Sequence, residues 1–279
     1  MKSEEILRDH SESATRDAIE ENQLAFLADF SGGVPEPYVL EVYRGQDMIR
    51  SYTGIPHPIF NGVYALGFDE QNLEKEVLET VEFFRFRNVP HMWWVGPSST
   101  PGIDELLVGH GLMKSEWDTA AMAIDLNQLN ESRLQELSER SGTEVKRVNT
   151  EEDLDKWSKV VGAAFEIDEF SYGVFHSIFK SLLETQACSF FLAEIGGEPV
   201  GASSSALKAG VVGIYNVGTL EEYRGNGIGQ LVSLAALHEA ENQGYEIGIL
   251  SSTESGYNVY QKLGFKEYFR YRIYVDVPQ

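Results

Sequence analysis

The run Val217-Gly218-Thr219-Leu220-Glu221-Glu222-Tyr223-Arg224-Gly225-Asn226-Gly227-Ile228-Gly229 constrains this chain more than any other feature. It joins a strand-like apolar stretch, Val211 to Thr219, to a segment of helical period with Ile228, Leu231, Val232 and Ala235 on one face and Gly244 as its C-terminal cap. Alternating glycines at such a junction leave backbone N–H groups uncovered at the positive end of a helix dipole, and Arg224 adds a fixed charge. The run therefore suits a phosphate or pyrophosphate. A P-loop needs Gly-Lys-Ser/Thr at the helix start, which is absent. A dinucleotide fingerprint wants Gly where Gln230 stands and several further parallel strands, with only about fifty residues left to supply them.

Charge sharpens this reading. Lys and Arg total 22 against 44 Asp and Glu, a formal net charge of -22. Such a surface repels phosphate backbones and anionic lipid, and no basic patch is visible, so neither nucleic acid nor membrane is expected as a partner. An anionic ligand needs a local site. No apolar run approaches the roughly 18 residues that span a bilayer, and Met1 to His10 contains no apolar core of a secretion signal, so the expected location is the cytoplasm. The one cysteine, Cys188, forms neither an intramolecular disulfide nor a multi-thiolate zinc site, and His57, between Pro56 and Pro58, lacks a second ligand at metal spacing. No metal is expected. With 279 residues, 42% of them hydrophobic, the chain supports one large core or two modest ones.

Periodicity predicts a helix over Ser3 to Leu27, extended runs at Tyr38 to Tyr43 and Ile59 to Leu66, a helix over Leu73 to Phe86, and a buried aromatic strand at His91 to Val95, where Trp93 and Trp94 serve the core. Between Leu126 and Glu144 the chain turns polar, which sets the expected division: residues 1–130, a linker at 131–143, and residues 144–279. The second half reads β-α-α-β-β-β-α-β-α-β. Its elements are a strand at Val145 to Val148, helices from the Thr150 cap to Phe165 and over Ser171 to Leu183, and strands at Ser189 to Ile195, Pro199 to Leu207 and Val211 to Thr219. The helix Gly227 to Gln243, a strand at Glu246 to Leu250, a helix from Gly256 stopped by Gly264, and a last strand around Phe269 to Val275 complete it. Ser98-Ser99-Thr100 and Ser251-Ser252-Thr253, like Gly111 and Gly264, lie 153 residues apart (98 to 251, 111 to 264), the mark of a two-fold internal repeat.

Arg224, Gly227 and Gly229 behind a strand, followed by Tyr257-Asn258-Val259-Tyr260-Gln261-Lys262-Leu263-Gly264-Phe265, resemble the acyl-CoA pyrophosphate loop and the Tyr-x-Lys-x-Gly-Phe signature of the GNAT (GCN5-related) N-acetyltransferases. The resemblance covers about residues 145 to 277 in motifs and element order, and residues 1 to 126 resemble a degenerate copy. It implies an α/β (α+β) protein of tandem-GNAT architecture with two GNAT-like domains, each a mixed, mainly antiparallel twisted sheet flanked by helices.

The resemblance implies roles as well. Val217, Gly218 and Thr219 would pair with the pantetheine arm of acetyl-CoA, one backbone N–H facing the thioester oxygen. Arg224, Gly225, Asn226, Gly227, Ile228 and Gly229 would cradle the pyrophosphate, with Ser252 and Tyr257 among the further cofactor contacts. Tyr260 sits where the family often places the phenol that protonates the departing thiolate. The family often has Asn seven residues before this tyrosine; Thr253 stands there here, and Ser252 or Thr253 would offer a hydroxyl instead. Glu166, Asp168 and Glu169, between the first two helices of the second half, are candidates for the base that takes the amine proton, with Glu166 and Glu169 preferred over Asp168 and His176. Cys188 with His176 lacks a third orienting group for covalent chemistry. In the repeat register Gln71 to Glu76 replaces the glycine loop with carboxylates and Leu107 falls at the place of Tyr260, so only the second half is expected to be catalytic.

The function expected is acetyl-CoA-dependent N-acetyl transfer to an amine of a small molecule or peptide by direct attack, without a metal. The acidic balance favours a cationic acceptor through its mean field. The competing expectation is a non-catalytic acyl-CoA-binding regulatory or interaction module. Acceptor identity, acyl chain length and oligomeric state are open from the sequence.

Overall fold

The computed structural model describes residues 5–45, 48–116 and 118–277. In chain order its elements are α1 (Glu12–Ala28), β1 (Glu41–Arg44), β2 (Met48–Tyr52), β3 (Gly62–Ala65), α2 (Leu73–Phe86), β4 (His91–Val95), α3 (Ile103–Gly109), β5 (Met113–Lys114) and β6 (Thr119–Asp125). There follow α4 (Glu131–Ser141), β7 (Glu144–Arg147), α5 (Glu151–Ala164), α6 (Glu169–Glu184), β8 (Ser189–Ile195), β9 (Glu198–Lys208), β10 (Val211–Thr219), α7 (Ile228–Glu241), β11 (Ile247–Ser252), α8 (Glu254–Leu263) and β12 (Lys266–Asp276). Among the described residues no helix is long and apolar enough to cross a membrane.

Two compact units result, and neither is continuous in sequence. The larger joins the segment up to Gly33 to Ala121–Tyr268, and the smaller joins Val34–Ala120 to the segment from Phe269 onward. A division at 131–143 is therefore not the one the compact units follow. The reason lies in two strands: most of β6 belongs to the larger unit, beside β11, whereas most of β12, the last strand of the chain, belongs to the smaller, beside β4. The residues read as a linker form a capped helix. Asn130 accepts from the Ser132 amide at 3.1 Å at the start of α4, and Gly142 closes it in the left-handed conformation.

In the smaller unit the strand order is β1-β2-β3-β4-β12, with β5 also on β12. Pairs β1–β2, β2–β3 and β4–β12 are antiparallel and β3–β4 is parallel. Its core holds Val77, Val81 and Phe84 of α2 with Trp93, Ile103 and Leu107, all fully buried. Strand β2, unforeseen in the sequence, fills the stretch between the two runs expected at Tyr38 to Tyr43 and Ile59 to Leu66.

The larger unit has the order β6-β11-β10-β9-β8-β7, antiparallel from β7 through β10 and parallel between β10 and β11. Helix α1 begins at Glu12: the Leu7 amide is bonded to Gly210 O at 3.0 Å and Ser11 caps the helix through the Ala14 amide, while Ser3, where the helix is expected to start, lies outside the described residues. Asn22, fully buried on α1, donates to the carbonyls of Ala206, Lys208 and Val211 and accepts from the Tyr215 hydroxyl at 2.5 Å. These bonds tie α1 to the β9–β10 hairpin and satisfy the buried amide of Asn22.

Candidate active site

Strand β10 is regular only in its first half. Its parallel pairing with β11 spans Val212↔Gly248, Gly213↔Ile249 and Ile214↔Leu250, yet β10 continues to Thr219. On its other edge the register with β9 shifts between Tyr215 and Gly218, and Asn216 has φ 53. A bulge of this kind re-aims the strand. The stretch Asn216 to Thr219 thereby loses its partner on the β11 side, and its backbone is free to pair with something else. Helix α5 closes the face beneath: a side chain on Gly218 would stand 2.8 Å from the Ala164 Cβ and 3.7 Å from the Phe165 ring.

The chain leaves β10 through one 3-10 turn, Glu221–Tyr223, and enters the glycine run. Gly225 (φ 81) and Gly227 (φ 84) occupy the left-handed region, where other residues are strained. Nothing lies within 4 Å of the point where a Gly225 Cβ would stand, so the loop surface is open. Gly227 is the N-cap of α7 and offers no side-chain acceptor, which leaves the first-turn N–H groups uncapped by any side chain. Ile228, Val232, Ala193 and Val200 form the apolar seat of this helix end, with Val217 packed against them. Arg224 is exposed; its Nε donates to Thr219 O at 3.3 Å and its Nη2 to Ala164 O at 3.4 Å. Asn226 donates to Tyr223 O at 3.1 Å and holds the turn. An anion placed here meets helix N–H groups without a side-chain cap and a guanidinium that has no carboxylate partner among the described residues.

Strand β11 ends in Ser252, which is buried and donates to Thr253 O at 2.8 Å. Thr253 precedes α8 without a side-chain cap bond, its hydroxyl 3.0 Å from that of Ser255. On α8, Gly256 lets two groups converge: a Cβ there would lie 3.0 Å from Ser252 Oγ and 3.1 Å from the Tyr260 ring. Tyr260 is 8% exposed and meets Phe265 edge to face at 5.8 Å. Burial raises its pKa above that of a free phenol, so it stays protonated through the neutral range. Tyr257, on the same helix, is half-buried.

The three acidic candidates separate by environment. Asp168 caps α6, accepting from the Ser171 amide at 3.0 Å and from the Ser171 hydroxyl at 2.6 Å. Glu166, at φ 53, and Glu169, in the first turn of α6, are exposed. His176 bonds the buried Ser158 hydroxyl through Nδ1 at 3.1 Å and so links α6 to α5. Cys188 is a free, buried thiol whose pKa burial pushes up to about 12. Among the described residues no group of three His, Cys, Asp or Glu is placed to hold a metal ion. In the smaller unit, Leu73 to Glu76 starts α2 with Glu74 and Glu76 in the first turn, and Leu107 is fully buried in the core. That unit also contains a cavity of about 520 Å³ lined by Arg85, Asn88, Met113 and Asp276 among others, none of them singled out in the sequence.

Two contributors at the glycine run were missed. Phe165, half exposed beside Gly218, was read only as a helix end. Arg140, on α4, was taken as part of a linker; its Nη2 lies 3.0 Å from the place of a Gly227 Cβ. No periodicity or motif signals either contact, because both arise from packing between distant segments.

Residues 152–265 match the model of the Acetyltransferase (GNAT) family. No curated protein matches the chain. Among solved structures, a GCN5-related N-acetyltransferase from Kribbella flavida aligns over 95% of this chain and 96% of its own at 19% identity, with a TM-score of 0.72. A tandem GNAT protein from the clavulanic acid biosynthesis pathway aligns over 96% and 95% at 13% identity, TM-score 0.62. A GCN5-related N-acetyltransferase from Sphaerobacter thermophilus aligns over 94% and 91% at 19% identity, TM-score 0.63. The fold is that of the GNAT proteins, and residues 152–265 carry the match to the GNAT family model.

Proposed function

We propose that the larger unit is an acetyl-CoA-dependent N-acetyltransferase that transfers an acetyl group to an amine of a small molecule or peptide by direct attack. The observation that carries this reading is the early end of the β10–β11 pairing at Ile214 together with the short passage from β10, through the turn Glu221–Tyr223 and the glycine run, to the start of α7 at Ile228. An extended arm can add to the free edge of Val217 to Thr219 while its phosphates reach the glycine run. The residues fit such a ligand: the space over Gly225 is open, and among the described residues Arg224 bonds only the backbone carbonyls of Thr219 and Ala164.

Acetyl-CoA supplies an activated acyl group as a thioester. Val217, Gly218 and Thr219 hold its arm, and Arg224 to Gly229 hold its pyrophosphate, with Ser252 and Tyr257 as flanking contacts. The amine lone pair forms the new C–N bond as the C–S bond breaks. Tyr260 gives its phenolic proton to the departing sulfur, and Glu166 or Glu169 takes the proton that leaves the amine. The exposed carboxylates at this border favour a cationic acceptor, which they would draw in and deprotonate. The smaller unit, with carboxylates at the start of α2, serves a structural role.

Two measurements test this. Acetyl-CoA at about 100 times its Kd should stabilise the wild type by roughly 2.7 kcal/mol, and Arg224→Glu should abolish that shift. Release of CoA in the presence of an amine panel should then fall about 10²-fold or more in Tyr260→Phe. A shift without any transfer would favour a non-catalytic acyl-CoA-binding module, and no shift at all would remove acyl-CoA from the account.

A further inference from the structure

Arg140 is an exposed cation set beside the start of α7. It stands in the last turn of α4, a good place for a cation on its own helix. Helix α4, however, docks through Leu137, which packs with Leu231 and Leu234 of α7, and this carries Arg140 onto the N-terminal end of α7. Both side chains reach the same glycine: Leu137 Cδ2 and Arg140 Nη2 each lie 3.0 Å from where a Gly227 Cβ would stand. The guanidinium thus faces the positive end of a helix dipole, a contact of like sign.

No carboxylate relieves it. Arg140 has no ion-pair or hydrogen-bond partner among the described residues, and the acids nearest it on α4 are engaged elsewhere. Glu136 accepts from Ser132 at 2.8 Å and pairs with Arg133 at 3.7 Å, while Glu139 accepts from Gln135 at 2.8 Å. The Arg140 guanidinium is therefore open to an anion at the start of α7. Its packing partner Leu137 is only 1% exposed, so α4 is seated there and Arg140 is delivered to the loop by the fold.

We infer that Arg140 is a second cationic ligand for the phosphates of acyl-CoA, acting with Arg224 at the glycine run and supplied by a helix outside the strand–loop–helix motif. The inference rests on the acyl-CoA reading above. Arg140 makes the affinity depend on the nucleotide end of the donor and leaves the thioester end untouched.

The test compares wild type, Arg140→Gln and Arg140→Lys by calorimetric titration with acetyl-CoA, acetyl-dephospho-CoA and acetyl-pantetheine, with thermal melts verifying that each variant is folded. Arg140→Gln should weaken acetyl-CoA about tenfold, Arg140→Lys less, and acetyl-pantetheine, which carries no phosphate ester, should bind both proteins equally within about twofold. The Arg140→Gln loss should also shrink as salt is raised from about 50 to 200 mM. If the loss persists with acetyl-dephospho-CoA, Arg140 serves the pyrophosphate; if it vanishes, Arg140 serves the 3′-phosphate. Unchanged affinity for acetyl-CoA in Arg140→Gln, or an equal loss on acetyl-pantetheine, overturns the inference while leaving the acyl-CoA reading intact. Failure of the wild type to bind acetyl-CoA overturns both.

Discussion

Ile228, the first residue of α7, sets its γ2 methyl in the space that a side chain on Gly201 of β9 would occupy. Ile228 is 1% exposed and β-branched, so it has no alternative rotamer into which to withdraw. The start of α7 is therefore positioned by the absence of a side chain one strand away. Gly201→Ala should destabilise the protein by about 1–3 kcal/mol through overpacking. It should also lift the helix start and weaken acetyl-CoA binding. Urea titration and calorimetry read the two effects separately; lost stability with unaltered affinity would show that the loop does not depend on this contact.

Tyr260 is buried, and burial alone raises its pKa. A donor of this kind is fully protonated from neutral to alkaline pH. Under the proposed reaction kcat should show no alkaline decline below about pH 10 that belongs to this phenol. A decline centred near pH 8 or 9 in the wild type and missing in Tyr260→Phe would contradict the assignment.

His91 of β4 is fully buried, stacked on Phe84 at 4.3 Å, and neither ring nitrogen makes a hydrogen bond among the described residues. Burial chiefly lowers its pKa, from 6.5 to about 4, although Asp276 lies 3.9 Å away and opposes the shift. The unfolded chain takes up this proton below pH 6.5 and the folded protein does not. Stability present above pH 6.5 is thus lost as pH falls towards 4, by a sum on the order of 3 kcal/mol. Denaturation midpoints measured across this window should decline less steeply in His91→Phe; parallel curves would show that other groups dominate.

Cys188 is 5% exposed, with its pKa pushed up to about 12. A thiol reagent acts on the thiolate, which is both scarce and inaccessible here. In native conditions at pH 8 labelling should proceed only at the rate of opening or unfolding, and it should accelerate to the free-thiol rate in denaturant. Rapid native labelling would place the thiol at a surface.

Much of the fold was legible because its signals are local. Helix α2 and strand β4 fall where Leu73 to Phe86 and His91 to Val95 placed them, since a 3.6-residue apolar period and a short aromatic run need no distant information. The glycine run and its helix were legible for the same reason: Gly225 and Gly227 take positive φ values that few other residues tolerate. The start of α1 lies later than periodicity places it because residues 5 to 10, rich in ordinary helix formers, are held extended by distant segments: the Leu7 amide bonds Gly210 O, and Arg8 and His10 pair with Glu246.

By itself the sequence determined which segment carries the glycines, which helix that segment opens, and which tyrosine follows on the next helix. Only the tertiary structure decided that β6 joins the larger unit and β12 the smaller, that β10 parts from β11 at Ile214, and that Arg140 and Phe165 stand beside the glycine run. Turn chemistry and side-chain period act over a few residues, within reach of the chain's own neighbours. Strand order and the meeting of charges depend on which apolar surfaces bury one another, as when Leu137 seats α4 on α7.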